Sequence, residues 1–410
     1  MTTKACRFCY RPLTETFCDL GKTPLSNSYI PLKHENEKEP SYPLHAFVCS
    51  HCFLVQLDQF ETPENIFSDY AYFSSYSESW LHHAKTYAEK MVGLRKLGPS
   101  HLVVEIASND GYLLQYFKEK GIPILGIEPA LNVASLAIEK KINTLVEFFS
   151  LNLAEKLSAE GKRADLIAAN NVLAHVPNLN DFVKGLKKLL KPQGIITIEF
   201  PHVLKLMQEN QFDTIYHEHF SYFSLLTVEK IFAHHGLHLY DVEELSTHGG
   251  SLRIYAGHQE NSSLIATQRL QDLKEREIAY GLNTLSTYLS YHQKVENFKK
   301  KLVQELLNLK KMGKTIVGYG APAKGNTLLN FCEIGPKLID YTVDRNPYKQ
   351  GRLLPGSRIP IFSPEKLKET KPDYVFILPW NLKNEIMQQV NFIREWGGRF
   401  IIPIPEVEVI

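Results

Sequence analysis

Between residues 101 and 202 short apolar runs alternate with helical segments, and no other feature narrows the fold as much. HLVVEIA (101–107), PILGIEP (123–129) and IITIEFPH (195–202) read as buried strands, and ADLIAANNVLAHV (164–176) as a strand running into a loop. YLLQYFKEKG, LNVASLAIEKKI and NDFVKGLKKLLKPQG lie between them as helices, the last stopping on Gly194. Strands apolar on both faces need helices on both sides, which predicts an α/β fold with a parallel, doubly wound sheet. LHLYDVEEL (237–245) and SLRIYAGHQ (251–259) are expected as an antiparallel pair at the sheet edge. Residues 263–312 lack proline and read as long helices. TIVGYGAPAKGNTLLNF (315–331) then opens a second, smaller α/β unit. A chain of 410 residues is too long for one core. The expected domains are 1–65, 66–262 and 263–410.

The first of these is marked by cysteine. CRFC (Cys6, Cys9) and CSHC (Cys49, Cys52) can supply four thiolates to one tetrahedral zinc ion. Such a site replaces the core that so short a segment can barely build. Four thiolates leave no open position, so the expected metal is structural. Cys18 and Cys332 lack partners of this kind and read as packing residues.

In VVEIASNDGYLL a strand runs into a helix through a small-residue turn. Glu105, Ala107, Asn109 and Gly111 fall on the spacing E-x-G-x-G-x-G with two glycines replaced. Small residues there let a backbone approach a ligand closely. Glu128, just after the next strand, can accept from both hydroxyls of a ribose. NAD and S-adenosylmethionine are the rival ligands, and the missing glycines disfavour a pyrophosphate. Asn170 and Asn171, in NNVLAHV, suit an adenine-side loop, and His175 follows as a candidate catalytic lip.

Three further stretches can carry chemistry. TIYHEHFSYF (214–223) crowds Tyr216, His217, Glu218, His219 and Tyr222 together. In an extended segment His217 and His219 would face one way, and Tyr216 and Glu218 the other. HGGSLR offers His248, backbone N–H groups and Arg253 to a phosphate, or is simply a turn. GYGAPAKGN opens a helix and could hold a diphosphate with Lys324, with Asp344 as an imitation of a ribose carboxylate.

Taken in order, the C-x-x-C pairs, EIASNDG, EFPH, YHEHFSYFS, HGGSLR and GYGAPAKGN resemble the three-domain S-adenosylmethionine-dependent sugar C-methyltransferases, over nearly the whole chain. The resemblance implies an N-terminal zinc-binding domain, a central class I (Rossmann-like) methyltransferase domain and a C-terminal Rossmann-like domain. The last is expected to help hold a nucleotide-diphosphate sugar. The chain departs at Ala107, where EIGSNDG is more usual, and the loop is expected to tolerate the added methyl group.

The implied chemistry moves a methyl group to carbon and needs a carbanion equivalent. A 4-keto sugar supplies one once a base removes the neighbouring proton. By resemblance His219 is that base, with Tyr216 and Glu218 beside the sugar. The family suggests one catalytic tyrosine among Tyr70, Tyr72 and Tyr76, with Tyr70 slightly preferred. His175 is a candidate for the keto oxygen or a sugar hydroxyl.

A formal net charge of +1 provides no basic field for nucleic acid or an anionic membrane. MTTKACRFCYRPL lacks a signal-peptide core, and no apolar run approaches a membrane span. A cytoplasmic monomer is expected. Two rivals stay open: an NAD-dependent nucleotide-sugar oxidoreductase using GYGAPAKGN, and a non-enzymatic zinc-containing adapter.

Overall fold

A computed structural model describes residues 4–62 and 73–410. The chain packs into two compact units, each assembled from three segments. One contains residues 1–13, 49–202 and 220–283, and the other residues 14–48, 203–219 and 284–410.

The first unit is built on a seven-stranded sheet. Its strands are β1 (Val103–Ile106), β2 (Ile124–Ile127), β3 (Thr144–Leu145), β4 (Ala164–Asn170), β5 (Leu190–Pro201), β6 (Leu237–Leu245) and β7 (Ser251–His258), in the order β6-β7-β5-β4-β1-β2-β3. Strands β1 to β5 pair in parallel. The two late strands do form an antiparallel pair, but β7 also lies antiparallel to β5 and so is slotted inside the sheet. The order reverses at β1 and β4, where the carboxyl ends of the strands open a crevice.

Helix α1 (Glu78–Arg95) starts on Ser77, whose hydroxyl accepts from Trp80 N, and stops at Lys96 in a left-handed conformation. Its buried face, with Tyr87, Ala88 and Met91, packs with α2 (Leu114–Lys118) on Val103, Leu166, Ile195 and Tyr255. Helices α3 (Leu131–Glu139), α4 (Leu151–Ala159), α5 (Leu179–Leu189), α6 (Leu225–His234) and α7 (Gln268–Tyr280) complete this unit. The expected stop of α5 on Gly194 is not found. The helix ends at Leu189, and KPQG already belongs to β5. Gly194 serves the sheet instead: a Cβ there would meet Ala164 O at 2.8 Å.

The second unit holds a six-stranded sheet. Strands β8 (Ile316–Tyr319), β9 (Thr342–Val343), β10 (Ile361–Phe362), β11 (Tyr374–Ile377), β12 (Arg399–Ile402) and β13 (Glu408–Val409) lie in the order β10-β9-β8-β11-β12-β13, all parallel except β13. Helix α8 (Tyr291–Lys311) buries Phe298, Leu302, Leu306 and Leu309, and α9 (Ala323–Phe331) follows the glycine turn after β8. The early hairpin of Glu15–Thr23 with Tyr42–Val48 belongs here. Phe17 stacks on Tyr291 at 4.8 Å, and Ile30–Pro31 pairs with Arg352–Leu353. No helix among the described residues is long and apolar enough to cross a membrane.

Candidate active site

Each C-x-x-C closes the same turn. Tyr10 N donates to Cys6 O and Phe53 N to Cys49 O, and both Tyr10 and Phe53 take left-handed backbones, φ 60° and 65°. The four Sγ atoms lie within 4.8 Å of one another, with Cys6–Cys52 at 3.6 Å and Cys9–Cys49 at 3.5 Å. Zinc–thiolate bonds of about 2.3 Å at tetrahedral angles put sulfurs about 3.8 Å apart, so the donor set fits zinc. Gln56 Nε2 donates to Cys6 Sγ at 3.3 Å, a contact that orients the thiolate. Asn180 on α5 donates to Arg7 O and Phe8 O, tying the first turn to the sheet's helical layer.

At the carboxyl ends of β1 and β4 the turn 107–111 closes with Gly111 N donating to Ser108 O, while Ala107 N still pairs across to Ile127 O. Ala107, Asn109 and Gly111 all have left-handed φ, at 57°, 48° and 79°. Gly111 is needed for the chain itself rather than for a ligand's approach, because a Cβ would lie 2.1 Å from Ile142 Cδ1. Glu128 accepts from Asn109 N and Ala130 N, both at 2.9 Å, one on each oxygen. Each oxygen keeps a second lone pair for a hydroxyl. Burial raises its pKa, partly opposed by those two N–H groups.

Glu105 is fully buried, and neither carboxylate oxygen has a well-formed hydrogen bond among the described residues. Burial pushes its pKa well up, only partly opposed by the nearby Tyr112 phenol. Asp110 Oδ1, Asn170 Oδ1 and Asn171 Oδ1 likewise meet no donor among the described residues. A crevice lined with unused acceptors fits a ligand rich in donors and positive charge, as S-adenosylmethionine is with its ribose hydroxyls, amines and sulfonium. Tyr112, which accepts from Asn170 Nδ2 at 3.2 Å, belongs to this wall and carried no separate signal in the sequence.

HGGSLR divides. His248, at φ 55°, packs edge-on to Trp80 and hydrogen-bonds Asn171 Nδ2 at 3.2 Å, beside the crevice. Arg253 does not serve a phosphate. It is 4% exposed, donates to Glu199 at 2.8 Å, and lies over the Tyr87 ring. Against the cost of burial, His83, Arg253 and Thr247 hold Glu199 down at about 2. His83 and Glu199 are therefore part of the scaffold. His175 ends a short turn after β4 and is half-buried. Tyr76 is 75% exposed and stacks on Phe73, whereas Tyr222 is 6% exposed in a short strand paired with Val55. Tyr70 and Tyr72 lie outside the described residues.

In the second unit YHEH is a tight turn, not an extended segment. His219 N donates to Tyr216 O at 2.9 Å, which reverses the chain. Tyr216 and His219 thereby come together, rings 4.0 Å apart and Tyr216 Oη 2.8 Å from His219 Nε2, both partly exposed. His217 and Glu218, at the corner, are buried. His219 Nδ1 lies 3.0 Å from Thr214 O. A carbonyl only accepts, so Nδ1 carries the proton and Nε2 is the basic atom. Glu218 Oε1 accepts from Asn27 Nδ2 at 2.6 Å, and burial pushes its pKa up to about 7 despite that bond. Asn27 stands 191 positions away and left no trace in the local pattern. His217 packs on Tyr42 and reaches Pro43 O, and its pKa is lowered by burial.

The turn after β8 is already occupied by the protein. Asp344 accepts from Ala321 N at 2.7 Å and from Asn346 N at 2.8 Å, and Lys349 Nζ and Tyr29 Oη both donate to Ala321 O. A carboxylate where a phosphate would sit disfavours both a diphosphate and a dinucleotide in this turn. Lys324 points elsewhere, donating to Asn381 Oδ1 at 2.9 Å and lying over the Trp380 ring. It keeps some exposed surface, yet protein crowds its ammonium and lowers its pKa, with Asp213 partly opposing.

Sheet order, antiparallel β7 and the acceptor-lined crevice together define a class I S-adenosylmethionine-dependent methyltransferase. Residues 6–67 match a zinc binding domain, 80–242 a methyltransferase domain and 246–405 a C-methyltransferase C-terminal domain. The chain is 34% identical over 405 residues to C-methyltransferase NovU of Streptomyces niveus, spanning 99% of this chain and 96% of that one. It belongs to that C-methyltransferase family. A shorter likeness, 29% over 97 residues, joins it to the ubiquinone biosynthesis O-methyltransferase of Bartonella tribocorum, covering 23% of this chain and 39% of the other. Magnesium protoporphyrin IX methyltransferase of Synechocystis PCC 6803 superposes with TM-score 0.33 at 16% identity, over 43% of this chain and 78% of that one, too loosely for any inference.

Proposed function

We propose that this enzyme C-methylates a nucleotide-diphospho-4-keto-6-deoxysugar, with thymidine as the expected nucleotide and C3 favoured over C5. The observation that carries the reading is His219: Nδ1–H bound to a carbonyl, Nε2 free of a proton and partly exposed beside Tyr216 Oη. His219 Nε2 takes the proton next to the ketone. Tyr216, which donates to Nε2 at rest, turns its hydroxyl to the developing oxyanion. Glu218, titrating near neutrality, accepts or donates at a sugar hydroxyl. S-adenosylmethionine, when bound, would supply the electrophilic methyl group. Glu128 and the unused acceptors of Glu105, Asp110, Asn170 and Asn171 would hold it.

Deuterium exchange next to the ketone, run without methyl donor, isolates the first step. His219→Asn should slow exchange roughly 10²–10⁴-fold while still binding S-adenosylhomocysteine. Wild-type exchange in that variant would move the base elsewhere. A labelled methyl donor with candidate keto-sugars, read by NMR, then locates the new carbon. Calorimetry separates the rivals: NAD binding in place of S-adenosylhomocysteine would favour the oxidoreductase, and binding of neither the adapter.

A further inference from the structure

One residue before Thr214 lies a carboxyl that the chemistry above does not use. Asp213 is wholly buried, its Oδ2 accepts from Trp380 Nε1 at 2.7 Å, and its Oδ1 has no well-formed hydrogen bond among the described residues. A buried carboxyl is costly to keep unless something depends on it. Two elements close around this one. Trp380 and Asn381 come from the turn after β11, and Lys324 comes from the first turn of α9. The Lys324 ammonium lies 4.7 Å from the Trp380 ring centroid, and its charge acts on Asp213. Three residues along α9, Thr327 Oγ1 donates to Ile215 O at 3.0 Å. Thr214 is thus held on both sides, at Asp213 and at Ile215, and its carbonyl is the acceptor for His219 Nδ1–H.

We propose that Asp213 is a positioning residue for His219: braced by Trp380 and Lys324, it fixes the turn whose Thr214 carbonyl holds Nδ1–H and keeps Nε2 as the proton-accepting atom. The inference rests on the reading of His219 as the base. Asp213 touches neither substrate nor cofactor in this role. It acts through one peptide unit, and a small shift of that carbonyl lets the imidazole turn or change tautomer.

Three variants separate this role from packing. Asp213→Ala removes both the acceptor and the charge, Asp213→Asn keeps an acceptor for Trp380, and Trp380→Phe removes the N–H but keeps a ring under Lys324. The readouts are the ¹⁵N spectrum of the His219 ring and the deuterium-exchange rate without methyl donor. Asp213→Ala should slow exchange about tenfold to a hundredfold, the scale of a misplaced reacting group. KM for the sugar and affinity for S-adenosylhomocysteine should hold, and the ring should show mixed tautomers. Trp380→Phe should match it, their double variant should add nothing, and Asp213→Asn should recover most of the rate. Wild-type exchange and an unaltered tautomer in folded Asp213→Ala, while His219→Asn is slow, overturn the role of Asp213 alone. If Asp213→Ala does not fold, the same two readouts on Asp213→Asn and Trp380→Phe decide: wild-type values in both overturn the role. Wild-type exchange in His219→Asn removes the base assignment and this inference with it.

Discussion

Ala107 and Glu218 show how single residues carry strain for a site. Ala107 has φ 57°, where a Cβ costs about 1–2 kcal/mol. The sequence shows the departure from glycine but not the left-handed backbone that makes it matter. Ala107→Gly should therefore stabilise the protein, by up to about 1 kcal/mol after the greater freedom of unfolded glycine is subtracted. A urea midpoint that falls instead would mean that the turn is not strained. Glu218 carries a cost of a different kind. Its folded pKa of about 7 lies above the ordinary 4.5, so the folded state holds the proton more tightly. Stability from this group is full below pH 4.5 and declines as pH rises to 7. Glu218→Gln should raise stability at pH 8 by up to about 3 kcal/mol, change little at pH 4, and lower activity. Equal effects at both pH values would remove the titration from the account. Glu199 runs the other way: held at about 2, it contributes above pH 4.5 and is lost as pH falls through 2.

Elements were legible where a pattern is local. Buried runs gave β1, β2, β4 and β5, and the C-x-x-C pairs gave the zinc site, because each signal sits within a few residues. The turn at 216–219 was not legible, since YHEH alternates as well as a strand would and only the Tyr216 O to His219 N bond shows the reversal. The end of α5 was missed for a related reason: Gly194 looks like a helix stop but answers to Ala164 O across the sheet. The zinc turns make their own prediction. Asn180 on α5 and Thr227 on α6 bond to the backbone of Arg7, Phe8 and Cys52. Cys49→Ser should release zinc and lower the melting temperature. It should also speed amide exchange in residues 4–13 and 49–57 and at the first turn of α5, because the metal contributes folding free energy directly. Native melting in a zinc-free variant would contradict a structural role.

At the scale of the whole molecule, linear order and packing part company. The C-terminal sheet shares its unit with residues 14–48 and 203–219. Asn326 donates to Ser26 O, Tyr29 to Ala321 O and Trp380 to Asp213. These contacts bridge as many as 300 positions, and no window of sequence reveals them. A fragment cut at residue 263 would lose all three. It should be unstable, giving no cooperative thermal transition and poor amide dispersion in NMR. A sharp transition from residues 263–410 alone would show that the early segments are dispensable.

That interleaving sets a schedule for the ribosome. The four zinc ligands are all synthesised by residue 52, so the metal can clamp the first turns while the chain is short. Residues 14–48, lying between those ligands, belong to a unit whose sheet ends at Val409. At about 5–20 residues per second they wait on the order of tens of seconds for their partners. For much of that interval, until Tyr291 is made, Phe17, wholly buried in the finished protein, lacks the ring it stacks on. Residues 14–48 are therefore the stretch most exposed to misfolding as the chain is made, and holdase chaperones should bind there until Tyr291 has emerged.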